Sequence, residues 1–110
     1  MAQEQKITIA GTAGALDARW QAAEQTQLGV LMCHPHPLFH GTMDNKVVTT
    51  VTRTAAGLGL PTLRFNFRGV GSSEGVHDNG VGEQDDVLAA LNYARNELGW
   101  QKVILAGFSF

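Results

Sequence analysis

The sequence predicts an α/β fold in which an antiparallel hairpin opens a mostly parallel sheet with helices on both faces. Three observations carry that expectation. Residues 28–33, Leu28-Gly29-Val30-Leu31-Met32-Cys33, form a continuous apolar run, as a strand covered on both sides requires. Two longer stretches, starting near Asn45 and near Glu83, instead space their apolar residues three, four or seven apart, which is helical. These helical stretches alternate with short apolar runs, so each helix serves as the crossover between parallel strands.

The elements follow in order. Residues 6–10 alternate polar and apolar, Gly11-Thr12-Ala13-Gly14 supplies turn chemistry, and residues 15–22 alternate again through Leu16, Ala18, Trp20 and Ala22. That is an amphipathic hairpin. The apolar strand at 28–33 runs into the proline-rich segment 34–40. A helix is expected from Asn45, with Val47, Val48, Val51, Ala55 and Leu58 recurring at helical spacing, Asp44 at its amino end, and Gly57 and Gly59 at its exit. Residues 61–67 read as the next strand, and a glycine-rich loop follows from Arg68 to Gly82. The second helix fits 83–98, where Val87, Leu88, Leu91, Tyr93, Ala94 and Leu98 lie three, four or seven apart and Gly99 ends it. Asp78, Glu83, Asp85 and Asp86 read as its solvated start, complementing the positive end of the helix dipole. Arg68 is expected to pair with one of them. Residues 103–106 make the last strand. No repeat or linker divides the chain, so residues 1–110 are expected to form one domain.

Composition excludes several classes of function. A chain of 110 residues and 11.8 kDa is long enough for one small core and short for a whole α/β enzyme. A net charge of -2 supplies no field for nucleic acid or an anionic membrane. The start of the chain has no basic segment followed by an apolar one, and nowhere do eighteen apolar residues run together, so a cytosolic protein is expected. Cys33 is the lone cysteine, which excludes an internal disulfide, and its place at the end of an apolar strand suggests a small buried hydrophobe.

The chemistry is concentrated at the end of the chain. Gly107-Phe108-Ser109-Phe110 follows the apolar run Val103-Ile104-Leu105-Ala106, giving Gly-x-Ser-x at a strand exit. In that pattern the strand turns sharply into a helix and presents the serine hydroxyl above the sheet. Ser109 as nucleophile would generate an oxyanion that needs two backbone N–H donors. Phe110, the residue after the serine, supplies one. The other is expected from the loop after the first apolar strand, where Pro35 and Pro37 have no N–H, leaving His36, Leu38 and Phe39. His36 is the first choice and Leu38 the second.

Four motifs in this order resemble one family. His34-Pro35-His36-Pro37, Asn45-Lys46-Val47-Val48, Arg68-Gly69-Val70-Gly71-Ser72-Ser73 and Gly107-Phe108-Ser109 look like the small α/β-hydrolases related to dienelactone hydrolases, over nearly all the chain from about residue 28. The resemblance implies the α/β-hydrolase fold, truncated after the nucleophile strand, with Arg68, Gly69, Gly71 and Ser73 shaping a loop beside the pocket. It implies a triad in the order Ser, Asp, His, with the last two after residue 110. These residues alone would then be the amino-terminal half, nearly inactive, and prone to self-associate through the uncovered last strand or to pair with a carboxyl-terminal half. Dienelactone hydrolases are known for a cysteine nucleophile, whereas this chain has Ser109. The implied activity is therefore carboxylesterase-like, on a small-molecule ester, without cofactor.

Competing readings use the same residues. His34, His36 and His40 lie at a strand end, as metal ligands often do, but the metallo-β-lactamase spacing would need Asp and His where Leu38 and Phe39 stand. A metal-dependent hydrolase is the weaker alternative, and no metal is expected. Gly69-Val70-Gly71-Ser72-Ser73-Glu74 lacks the third glycine of a dinucleotide loop, and Glu74 would oppose a pyrophosphate. A non-catalytic α/β module is the rival of another class. Phe108 and Phe110 fit an acyl pocket or packing under the turn.

Overall fold

The computed structural model describes residues 3–36 and 41–107. Its strands are β1 (Gln5–Gly11), β2 (Gly14–Gln21), β3 (Leu28–Cys33), β4 (Thr62–Phe65) and β5 (Lys102–Gly107). Helix α1 (Lys46–Gly57) joins β3 to β4, and α2 (Val81–Asn96) joins β4 to β5. The sheet order is β1-β2-β4-β3-β5. The hairpin pairs from Gln5 with Trp20 up to Gly11 with Gly14, leaving Thr12 and Ala13 at its tip. β2 runs antiparallel to β4, whereas β4, β3 and β5 are mutually parallel. This is the mixed sheet the alternation of strand and helix patterns calls for.

Side-chain alternation separates the two faces. Leu31 and Cys33 of β3 join Leu63 and Phe65 of β4, Leu16 and Ala18 of β2, and Ala90 and Ala94 of α2 in one buried cluster. The alternate residues Val30 and Met32 stand in register with Thr62 and Arg64. Arg64 donates to the Met43 carbonyl at 2.6 Å and to Asp44 at 2.9 Å, just ahead of α1, so this second face is the one α1 covers. Helices therefore flank the sheet on both sides, as expected. Arg64 is also held by Glu4 at 2.7 Å, and these partners keep a buried guanidinium fully paired.

Three details differ from expectation. Asp44 does not cap α1: the Asn45 side chain accepts from Val47 N–H at 2.9 Å, while Asp44 pairs with Arg64. α2 starts two residues early, at Val81, because the Glu83 carboxylate reaches back to the Gly80 N–H at 3.0 Å. The solvated acidic start is also corrected. Asp78 and Asp85 are exposed, but Glu83 is 1% and Asp86 0% exposed. Leu88 of the same helix is 56% exposed, so helical spacing alone does not mark the buried face. The buried face of α2 consists of Gly82, Glu83, Asp86, Ala90 and Ala94, so small residues bring the helix close to the sheet and two carboxylates satisfy buried donors beneath it. No helix among the described residues is long and apolar enough to cross a membrane.

Candidate active site

β3 leads into α1 on one face, and its neighbour β4 leads into α2 on the other. Their exits therefore part, which is where open α/β sheets form ligand crevices, at the carboxyl ends of the strands. Cys33 stands in register with Phe65 of β4 and with Gly107 of β5. All three strands thus leave the sheet at one level, about 4.8 Å apart. The loop 34–41 and the Gly107-Phe108-Ser109 segment start from adjacent strand ends. Ser109, Phe110 and Leu38, together with Phe39, His40 and Phe108, lie outside the described residues. His36 is the one predicted site residue that is described.

His34 fixes the loop after β3. It is fully buried, and its Nε2 accepts the Phe67 N–H at 3.0 Å, so that nitrogen carries no proton. Nδ1 must then carry it, and it donates to the Pro35 carbonyl at 2.6 Å. Burial pushes the His34 pKa below the usual imidazole value, opposed by the bond to Pro35. His34 is thus a neutral clamp tying the β3 exit to the β4 exit, and its ring meets the Phe67 ring edge-on at 4.8 Å. Both nitrogens are occupied, so metal ligation by His34 would break two buried hydrogen bonds. The feet of the loop are closed by the Gly41 N–H, which donates to the His36 carbonyl at 3.2 Å. A side chain at Gly41 would collide with the Pro35 carbonyl, so only glycine closes the loop there.

The loop after β4 is knitted in place. Ser73 Oγ accepts the Asp17 N–H at 2.8 Å and donates to the Asn66 carbonyl at 2.7 Å, joining this loop to the middle of β2 and the end of β4. Asn66 in turn accepts the Met43 N–H at 2.9 Å. Gly71 has φ +53, and a Cβ there would press on the Asn66 amide at 2.8 Å. Arg68 pairs with Asp86 at 3.0 Å and donates to the Gly82 carbonyl at 2.6 Å and to Thr12 at 3.0 Å. The Asp86 carboxylate also accepts the Arg68 backbone N–H at 2.9 Å. Arg68 therefore bridges hairpin, loop and helix, which is the pairing expected for it, and the Asp86 hydrogen bond is the leading cause of its raised pKa.

Between the two loops lies a depression of about 610 Å³ lined by Cys33, His36, Phe67, Val81, Glu83 and Val87, among others. His36 is half-buried at its rim, and the His36 and His77 rings lie 5.0 Å apart at 60°. His77 Nδ1 is 3.1 Å from Glu83 Oε2. Burial works to raise the Glu83 pKa, but backbone N–H groups of Asp78, Glu83 and Gly80 and the nearby His77 outweigh it and hold the pKa below normal. Burial pushes the Cys33 thiol up to about 12, so it is a packed hydrophobe, as its position suggested. Sequence reading missed the His34 clamp and the His77–Glu83 pair. No spacing signals them, since each joins residues from separate loops or from a loop and a helix.

No protein-family profile matches the chain. Over 107 residues it is 41% identical to an uncharacterized protein of Rickettsia prowazekii, covering 96% of this chain and 45% of that one. An α/β serine hydrolase homologue from Coxiella burnetii superposes with a TM-score of 0.88 at 44% identity, covering 96% of this chain and 51% of that chain. A serine hydrolase without a lid from Xanthomonas campestris gives 0.89 at 38% identity, covering 97% and 51%. The chain thus spans about half the length of the relatives it matches. It has the α/β-hydrolase fold and fits the amino-terminal half of an α/β-hydrolase.

Proposed function

We propose that this chain belongs to a serine hydrolase that cleaves small carboxylic esters, with Ser109 as nucleophile. The observation that carries this reading is the common level of the β3 and β5 exits, where Cys33 pairs with Gly107. It starts a Gly-x-Ser segment beside a loop whose feet are held by the His34 and Gly41 hydrogen bonds. Ser109 Oγ attacks the ester carbonyl, the oxyanion takes N–H donors from Phe110 and His36, with Leu38 as the second choice for the latter, and the alcohol departs. Water then hydrolyses the acyl-enzyme and regenerates the serine. The base and its orienting carboxylate come from residues beyond 110, in keeping with relatives about twice as long.

The likeness to the Coxiella and Xanthomonas serine hydrolases supports this class, and the Xanthomonas structure favours an open site without a lid. A dienelactone-hydrolase-like scaffold that carries serine as its nucleophile accounts for the motifs, in a cytosolic enzyme without cofactor. The test is hydrolysis of p-nitrophenyl acetate and butyrate by the full-length polypeptide. Ser109→Ala should lower kcat by about a thousandfold or more. Retention of activity in that variant would sink the proposal.

A second reading, in which these residues form a non-catalytic module or associate with a separate carboxyl-terminal half, is favoured by one feature. Ile104 and Leu105 of β5 are 44% and 52% exposed. The 110 residues alone would then self-associate, and Leu105→Lys would weaken that association in sedimentation. A monomer with unchanged sedimentation in the variant would count against this reading.

A further inference from the structure

We propose that His77, oriented by Glu83, is a positioning residue that sets the His36 loop for catalysis. The proposal rests on the reading of His36 as an oxyanion donor. His77 belongs to the loop after β4 and His36 to the loop after β3, and their rings meet at 5.0 Å between centroids. A tilted ring pair of this kind fixes the relative placement of two loops without a covalent or backbone link.

Glu83 decides which way the His77 ring faces. The carboxylate is 1% exposed and accepts the Asp78 N–H at 2.9 Å and the Gly80 N–H at 3.0 Å, so it cannot swing. With its pKa held below normal it is ionised at neutral pH. A lone pair on Nδ1 3.1 Å from an anionic oxygen would be repelled, so Nδ1 carries the proton and faces Glu83. The approach is close enough for an ion pair but not aligned as a hydrogen bond, and among the described residues neither ring nitrogen has a hydrogen-bond partner. The other charges here leave the pair in place: Arg68 is engaged by Asp86, and Asp78 is exposed. Contacts thus run from the Glu83 carboxylate through His77 to His36 at the rim of the depression.

The test compares His77→Ala and His77→Phe in the full-length polypeptide. A misplaced oxyanion donor slows the chemical step more than it weakens binding. His77→Ala should therefore lower kcat for p-nitrophenyl acetate by about 10- to 100-fold while KM stays within about threefold. Phenylalanine restores a ring beside His36, and Glu83 keeps its backbone donors, so His77→Phe should recover kcat to within about threefold of wild type. An activity-independent arm follows the His36 ring resonances by NMR, which should shift in His77→Ala and return toward their wild-type positions in His77→Phe. A kcat for His77→Ala within about twofold of wild type, or no rescue by phenylalanine, overturns the positioning role. Wild-type protein that forms no fluorophosphonate adduct at Ser109 overturns the hydrolase reading and this role with it. A normal adduct beside an unaffected His77→Ala variant overturns the positioning role alone.

Discussion

β3 and β5 stand side by side with similar apolar sequences, yet they experience different surroundings. Leu31 and Met32 of β3 are 0% and 2% exposed, whereas Leu105 and Ile104 of β5 are 52% and 44% exposed. β3 has β4 on one edge and β5 on the other, with α1 and α2 over its faces. β5 pairs with β3 alone among the described residues. An apolar run therefore reports that a strand is meant to be covered, not what covers it. The closed side of the molecule, from the hairpin to β3, is further locked by ion pairs to buried arginines, which, among the described residues, the β5 side lacks. Chief among them are Arg68 with Asp86 and Arg64 with Glu4 and Asp44.

Mutations can sharpen that contrast. The largest effect is expected at Asp86, which is fully buried and serves both the Arg68 side chain and its backbone. Asp86→Ala should cost about 3–5 kcal/mol in denaturant unfolding, because it leaves a guanidinium without its partner. Next comes the direct comparison of strands: Leu31→Ala should cost about 2–5 kcal/mol and Leu105→Ala, in the same 110 residues, less than about 1 kcal/mol. Equal losses at the two positions would break the comparison.

Smaller still is a pH effect. Glu83 is more acidic folded than unfolded, so its stabilisation is complete above the unfolded carboxylate value of about 4.3 and is lost as pH falls through the lower folded value. Tm should drop across that acid range, and Glu83→Gln should flatten the drop; an identical profile in the variant would contradict the assignment. The weakest signal is chemical. Cys33, with its thiol pushed up to about 12, should resist iodoacetamide at neutral pH in the native protein and react once unfolded.

Most of the scaffold could be read from pattern, because period and punctuation decide local structure. The strand at 28–33 was legible to the residue, and the remaining strands ran within about two residues of expectation. The errors cluster where tertiary partners override pattern. Asp44 has the right chemistry for a cap but finds Arg64, 20 residues away, leaving Asn45 to cap α1. Glu83 and Asp86 look like surface residues; the Gly80 N–H meets Glu83 in a local capping turn, whereas only the fold brings the Arg68 N–H to Asp86. At the candidate site, the order of His36 and Ser109 along the chain was legible because both follow apolar strands. The His34 clamp and the His36–His77 contact were not, since 33 residues separate His34 from Phe67 and no periodicity links two loops.

The measurement that bears most directly on the central claim is the site of covalent labelling. The full-length polypeptide would be treated with a fluorophosphonate at neutral pH, digested, and the adduct located by mass spectrometry. A single adduct on Ser109, abolished by Ser109→Ala, is the predicted result. An adduct on another residue, or none on a folded full-length protein, would contradict the assignment of Ser109 as the nucleophile and with it the hydrolase reading.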